Sequence, residues 1–121
     1  MTTTRGDFTT RMFAAADDLD VDSYAGFLAR DVYFRFGNAE PIIGREAVRE
    51  AVGAFFTTIK GLKHTIDQEW HDGNVIVQQL SVTYTRLDDN KVTLPAVNIL
   101  RMEGDTVADY RIYVDLAPVY A

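Results

Sequence analysis

The last third of the chain contains two runs of branched and aromatic residues, at positions 92–102 and 107–115, on either side of a short polar turn. Gly104 and Asp105 in that turn predict an antiparallel hairpin. Side chains alternate between the faces of a strand, so one face of the hairpin is predicted to point inward. The inward set is Leu94, Ala96, Asn98, Leu100, Tyr110, Ile112, Val114 and Leu116. Any fold for this chain must bury that face.

The composition is typical of one globular domain. Of 121 residues, 47% are hydrophobic and 25% charged, which predicts a single domain over residues 1–121. The formal net charge of −6 disfavours nucleic acid and anionic membranes as partners. The chain has no cysteine, which excludes disulfides and thiolate chemistry. With no apolar signal core at its start and no apolar run that could span a bilayer, we expect a cytoplasmic protein.

Hydrophobic periodicity predicts the remaining elements. Apolar residues at helical spacing predict a helix over 7–17, a short helix carrying Tyr24 and Phe27, and a long helix that opens at Gly44 and ends just before Gly61. Alternation predicts strands over 31–36, 63–71 and 75–86. The predicted order is therefore helix, helix, strand, helix and a four-stranded antiparallel meander.

The hairpin also has apolar side chains on its other face. Val97, Ile99 and Tyr113 lie there, and three short helices can cover only one face of a sheet well. We therefore predict a homodimer through the outer sheet face. The alternative is a set of isolated exposed apolar residues, which are common on monomers.

Four segments together resemble the NTF2-like superfamily, in its SnoaL-like branch: DVD at 20–22, FLARDV at 27–32, PIIGREAV at 41–48 and YRIYVD at 110–115. The resemblance implies a cone-shaped α+β fold, in which a curved, mixed, mostly antiparallel sheet wraps around a long helix behind two N-terminal helices. It also implies an apolar pocket between sheet and helices. Relatives include ketosteroid isomerases, limonene epoxide hydrolases, scytalone dehydratases, polyketide cyclases and non-catalytic binding modules, so function must be argued from the pocket.

The ketosteroid isomerase catalytic set is not intact. Aligned with that family, Phe36 stands where the carboxylate base is expected, and Met12 stands near the tyrosine position. Asn98 replaces the oxyanion-hole acid, and an amide can donate a hydrogen bond but cannot titrate.

The epoxide hydrolase set is also missing. Leu80, Val82 and Ile112 occupy the positions of its arginine and two aspartates. Arg111 and Asp115 remain, but strand parity sends both to the outer face, where a structural ion pair or interface network is the favoured interpretation.

The predicted interior is apolar with few polar groups, as is usual for a ligand site. Its predicted substrate-binding residues are Phe34, Phe36, Gln68, Trp70, Leu80, Val82, Tyr84, Leu94, Ala96, Leu100, Ile112 and Val114. Pro95 lacks a backbone donor, and a bulge there would reverse the face assigned to Leu94.

Three inward polar residues are the candidates for catalysis. His64 suits acid–base chemistry, although a satisfied core histidine is the alternative. Asn98 and Tyr110 could donate to an oxyanion, or could instead be a bracing amide and a core tyrosine. An uninterrupted strand would put His71 on the face opposite His64, which argues against a two-histidine metal site.

These residues predict a pocket for a small hydrophobic, carbonyl-containing molecule. His64 would transfer the proton in an isomerisation, dehydration or cyclisation, and no cofactor or metal is implied. The alternatives are a non-catalytic domain for ligand binding or dimerisation, and an epoxide hydrolase with relocated catalytic residues.

Overall fold

A single mixed sheet and three helices account for most of the protein, whose computed structural model describes residues 5–121. The elements, in chain order, are α1 (Arg5–Asp17), α2 (Val21–Ala25), β1 (Leu28–Phe36), β2 (Ile42–Ile43), α3 (Arg45–Phe56), β3 (Gly61–Asp72), β4 (Val75–Thr85), β5 (Lys91–Glu103), β6 (Thr106–Tyr113) and a 3₁₀ turn at Ala117–Val119. No helix in this part of the chain is long and apolar enough to cross a membrane. Residues 1–4 lie outside the described residues. They are part of the predicted domain and of the segment in which no signal core was expected.

The curved sheet has the order β2-β1-β6-β5-β4-β3. Strands β3 to β6 form the predicted antiparallel meander, and β1 joins it by pairing in parallel with β6. The two-residue strand β2, which follows Pro41, pairs with β1 and has no counterpart in the sequence prediction. The predicted α+β fold with a mixed, mostly antiparallel sheet is therefore confirmed.

The hairpin has the predicted parity. Ala96, Asn98 and Leu100 of β5 and Tyr110 of β6 are all buried. Pro95 pairs with Ser81 in a β4–β5 ladder that runs without a register shift, so no bulge forms there. The exposed imino ring of Pro95 points away from the core.

The end of α3 differs from the prediction. The helix stops at Phe56, and Gly61 is the first residue of β3 rather than the residue after a C-cap. The hydroxyl of Thr57 donates to the Ala54 carbonyl at 2.6 Å, while the Thr57 N–H bonds to that same carbonyl at 3.1 Å. This tight last turn satisfies the exposed helix end without a left-handed glycine.

A bulge in β3 overturns part of the predicted inward face. Ile66 pairs with Leu80, yet the next paired residue, Gln68, faces Gln79, so the register shifts at this point. Because one extra residue reverses every later side chain, Gln68 is exposed and Trp70 is 48% exposed on the outer face. The same shift turns the side chains of Glu69 and His71 toward the inner face, where they bond to each other.

Hydrophobic packing between the helices and the inner sheet face forms the main core. Met12, Leu28, Val32 and Val48 are completely buried there. A smaller cluster lies at the other end of the sheet around Leu80, with Ala96, Val82 and Tyr84 among its members. Between helices and sheet, the packing leaves a cavity.

Candidate functional site

A cavity of about 40 Å³ lies between the helices and the inner sheet face. That volume has room for roughly three water molecules or a compact ligand group. Its walls are formed by Ala16, Tyr24, Phe34, Phe36, Val52, Phe55, Phe56, Leu62, His64, Val82, Tyr84, Asn98, Tyr110 and Ile112. The three candidates for catalysis, His64, Asn98 and Tyr110, therefore meet in one cavity.

Seven predicted binding residues lie elsewhere. Gln68 and Trp70 are on the outer face because of the β3 bulge. Leu100 belongs to the main core, and Leu80 and Ala96 belong to the second cluster. Leu94 and Val114 are partly buried against that second cluster and also line a surface groove. Inward parity was therefore wrong for the two residues after the β3 bulge, and elsewhere it did not separate cavity wall from solid core.

Six wall residues were missed by the sequence prediction. Ala16, Tyr24, Val52, Phe55 and Phe56 come from the helices, and Leu62 from the start of β3. The helical stripes marked several of them as buried, but strand parity says nothing about which helical residues face a sheet.

The central polar contact of the site joins α1 to β3. His64 Nδ1 lies 2.6 Å from Asp17 Oδ1. The His64 backbone N–H also lies 3.1 Å and 3.2 Å from the two Asp17 oxygens. A carboxylate only accepts hydrogen bonds, so Nδ1 carries the proton in this contact. The other ring nitrogen, Nε2, has no hydrogen-bond partner within residues 5–121 and remains available to a ligand.

Local structure fixes both members of this pair. Asp17 is the last residue of α1, which closes with the Leu19 N–H on the Ala16 carbonyl (2.9 Å) and the Asp20 N–H on the Ala15 carbonyl (3.0 Å). This is a Schellman closure with Leu19 in the left-handed region at φ 55°. The His64 ring stacks on Phe13, with centroids 4.4 Å apart and planes within 8°. Phe13 therefore packs against the face of the imidazole, and Asp17 binds its Nδ1 edge.

Aromatic rings surround the remainder of the cavity. Phe36 packs edge-on against Phe55, and Phe55 packs edge-on against Tyr84. The Tyr24 and Tyr110 rings lie with their centroids 6.4 Å apart, and the proximity of the two hydroxyl groups lowers the pKa of Tyr24 while raising that of Tyr110. Burial is the larger effect and raises the pKa of Tyr24 to about 12. Both hydroxyls are therefore neutral donors near neutral pH.

Asn98 is held by a polar chain behind the cavity wall. Its Nδ2 donates to Gln78 Oε1 at 3.2 Å, and Gln78 Nε2 donates to Glu69 Oε2 at 2.7 Å. Asn98 Oδ1 is buried and has no hydrogen-bond partner among the described residues. Gln78 and Glu69 were not identified from the sequence. Gln78 shares the inward parity of Leu80 and Val82 on β4 and could have been found from it, whereas the bulge that brings Glu69 inward leaves no mark in the alternation.

Arg111 and Asp115 lie outside the cavity, as parity predicts. Arg111 bonds to Asp109 at 2.9 Å, and its guanidinium stacks on Tyr33 at 4.5 Å. Asp115 instead accepts from the Ala117 backbone N–H at 3.0 Å. Their roles in this structure are local and structural.

Comparison with known proteins identifies the family. The family model described as "SnoaL-like domain" matches residues 9–110. The chain belongs to the SnoaL-like domain family. No curated protein matches the chain in sequence.

Solved structures share the fold of this SnoaL-like protein. A protein with a ketosteroid isomerase-like fold from Catenulispora acidiphila, in complex with trimethylamine, matches with a TM-score of 0.86 and 18% identity over 97% of this chain and 91% of that chain. An NTF2-like protein from Burkholderia pseudomallei matches with a TM-score of 0.84 and 18% identity over 97% and 95%. An LEH-like epoxide hydrolase from M. tuberculosis matches with a TM-score of 0.79 and 13% identity over 93% and 84%. At these identities the likeness establishes the fold alone.

Proposed function

We propose that this SnoaL-like protein catalyses cofactor-independent proton transfer on a small hydrophobic carbonyl compound. The observation that carries the proposal is the Asp17–His64 contact at 2.6 Å, with His64 in the cavity wall. A carboxylate on Nδ1 selects the tautomer whose Nε2 lone pair is free. His64 is then a general base oriented by Asp17.

The neighbouring groups fit such a reaction. His64 Nε2 would take a proton from the carbon next to the carbonyl, and the C–H electron pair would move onto the carbonyl oxygen. Tyr24 and Tyr110 both line the cavity, with ring centroids 6.4 Å apart. Tyr24 would donate to the carbonyl oxygen, and the Tyr24 oxygen would in turn accept from Tyr110. Return of the proton to another carbon gives isomerisation, and its transfer to a departing β-hydroxyl gives dehydration. In a cyclisation, the enolate carbon attacks a second carbonyl, whose electron pair moves onto its oxygen, and that oxygen takes the proton from His64.

The test is exchange of the protons next to a carbonyl. With cyclopentanone in D₂O, loss of the ¹H NMR signal reports deprotonation without knowledge of the natural substrate. We expect the wild-type protein to accelerate this exchange and His64→Gln to reduce the acceleration by about 10²- to 10⁴-fold. Lys63→Gln is the matched control, because Lys63 is the exposed neighbour on the other face of β3. Equal exchange by wild type and His64→Gln would show that His64 is not the base.

Ligand binding without catalysis is the second candidate. It is supported by the mainly apolar wall and by the loss of both catalytic sets known in relatives. Here the protein would bind cyclopentanone in a ¹H–¹⁵N titration, yet leave its exchange rate at the buffer value.

A relocated epoxide hydrolase has less support. Among the described residues that line the cavity, none is a carboxylate, and Asp17 reaches the cavity only through His64. Hydrolysis of styrene oxide by the wild type and by Asp17→Asn would test this route.

The homodimer, the absence of a cofactor and the cytoplasmic location remain proposals. The outer face offers Trp70 at 48% and Tyr113 at 55% exposure to a second copy. A face of this kind is also compatible with a monomer.

A further inference from the structure

Asn98 lies in the cavity wall and has an unpaired hydrogen-bond acceptor. The residue is 2% exposed and forms part of the cavity wall. Its Nδ2 is committed to Gln78 on the adjacent strand β4, and its Oδ1 is buried with no partner in the described part of the chain. A buried acceptor of this kind destabilises the empty protein and favours a ligand that donates to it.

Glu69 fixes which way the Asn98 amide points. The Glu69 carboxylate can only accept, so Gln78 must turn its NH₂ group toward it, at 2.7 Å. Gln78 then turns its carbonyl toward Asn98, and Asn98 must donate to that carbonyl through its NH₂ group. The orientation of both amides therefore follows from one charge rather than from free rotation.

Two further contacts hold that carboxylate in place. The Thr9 hydroxyl of α1 donates to Glu69 Oε2 at 3.0 Å, and His71 Nε2 lies 2.6 Å from Oε1. The Glu69 carboxylate is thus bonded to Thr9 on α1 and to His71 on its own strand, β3. The sequence interpretation of Asn98 as an oxyanion donor requires its NH₂ group in the cavity, which is the opposite orientation.

We infer that the cavity selects a carbonyl compound that also bears a hydrogen-bond donor, a hydroxyl or an N–H, and that Asn98 Oδ1 accepts from it. This inference rests on the proposed function for the carbonyl group of the ligand, whereas the selection of a donor requires only that the cavity takes a ligand. The tyrosine hydroxyls and His64 would contact the carbonyl end of the ligand, while Asn98 Oδ1 would accept a hydrogen bond from the ligand's donor. A small hydroxyketone has both groups.

The test compares two compact probes on the wild-type protein. Hydroxyacetone carries the donor, and methoxyacetone is the same ketone with the donor methylated. We expect hydroxyacetone to bind about 5- to 10-fold more tightly in a ¹H–¹⁵N titration, the factor that one net hydrogen bond provides. Equal affinities, tighter binding of the ether, or no binding of either probe would overturn the inference.

Two variants test the role of the polar chain. In Asn98→Leu the acceptor is gone, and hydroxyacetone should bind no better than methoxyacetone. In Glu69→Gln the new amide can face Gln78 in either sense, so the preference should fall below about twofold. Glu103→Gln, an exposed charge neutralisation on β5, should keep the full preference. Retention of the preference in Glu69→Gln would contradict the orienting role of Glu69.

The binding test is separable from the proposed reaction. If hydroxyacetone is preferred but His64→Gln leaves proton exchange unchanged, the donor selection stands and the proton-transfer function fails. If His64 proves necessary for exchange but the two probes bind equally, the proton-transfer function stands and the donor selection fails.

Discussion

The Asp17 carboxylate at the end of α1 holds both the ring Nδ1 and the backbone N–H of His64, 47 positions further along the chain. A side chain bonded at two points of the same residue fixes the ring tautomer together with its position. The free Nε2 is therefore a consequence of where α1 ends relative to β3.

Replacing Asp17 should impair the base without removing it. In Asp17→Asn the amide NH₂ can face Nδ1 and select the tautomer with a protonated Nε2, so we expect proton exchange to slow by about 10²- to 10⁴-fold. ¹⁵N chemical shifts of the His64 ring would show the tautomer change directly. Asp18→Asn, an exposed neighbour, should leave both readouts at wild-type values. An unchanged tautomer in Asp17→Asn would contradict the positioning role of Asp17.

Stability should decline in alkaline solution because of the buried tyrosines. The pKa of Tyr24 rises from 10.0 to about 12 on burial. The unfolded protein therefore loses this proton from pH 10 upward, while the folded protein keeps it until about pH 12. The stabilisation is complete below pH 10 and is lost between these values, with a loss of about 3 kcal/mol from Tyr24.

Urea unfolding on a series of alkaline buffers would measure that decline. Tyr24→Phe should reduce the pH dependence by the share of one tyrosine, since phenylalanine has no proton to lose, while the buried Tyr84 and Tyr110, whose pKa values are also raised by burial, keep theirs. Tyr120→Phe removes a hydroxyl from a residue that is 55% exposed and should keep the wild-type slope. The same slope in both variants would rule out Tyr24 as the source.

Two turn glycines with the same backbone conformation should differ in their tolerance of alanine. Gly37 and Gly104 have φ of 57° and 61°. A Cβ on Gly37 would lie 3.1 Å from the Val114 carbonyl oxygen, whereas one on Gly104 meets nothing within 4 Å. We expect Gly104→Ala to lower the free energy of unfolding by about 1 kcal/mol and Gly37→Ala by roughly 1 kcal/mol more. Urea unfolding of the two variants would check the order.

The outer sheet face can be tested for self-association. If it pairs two copies, Trp70→Asp should convert a dimer to a monomer in sedimentation equilibrium, because a buried, unpaired charge opposes the contact. Leu87→Asp alters a residue that is 58% exposed in the loop between β4 and β5 and should not change the mass. A wild-type protein that is monomeric at all concentrations would refute the predicted dimer.

Strand alternation was a reliable guide where the strands run without interruption. The β4–β5 ladder has no register shift, and the β5–β6 pairing keeps its register from Val97 to Arg101 and shifts only beyond it, before Met102. Asn98, Tyr110 and Ile112 were therefore correctly expected inside. The resemblance to the SnoaL-like branch rested on several segments spread along the chain, and the family and fold it implied are confirmed.

Local sequence pattern determined most of the elements, apart from β2 and the ends of α2 and α3, the sheet parity of the last strands and the position of His64 on an inner face. Tertiary structure decided the rest. The β3 bulge removed Gln68 and Trp70 from the inner face and brought in Glu69, because a one-residue register shift leaves the alternation of the chain itself unchanged. The end of α1 and the packing of α2 supplied Asp17 and Tyr24. Contacts between such distant residues depend on how the elements pack, and no local spacing encodes that packing.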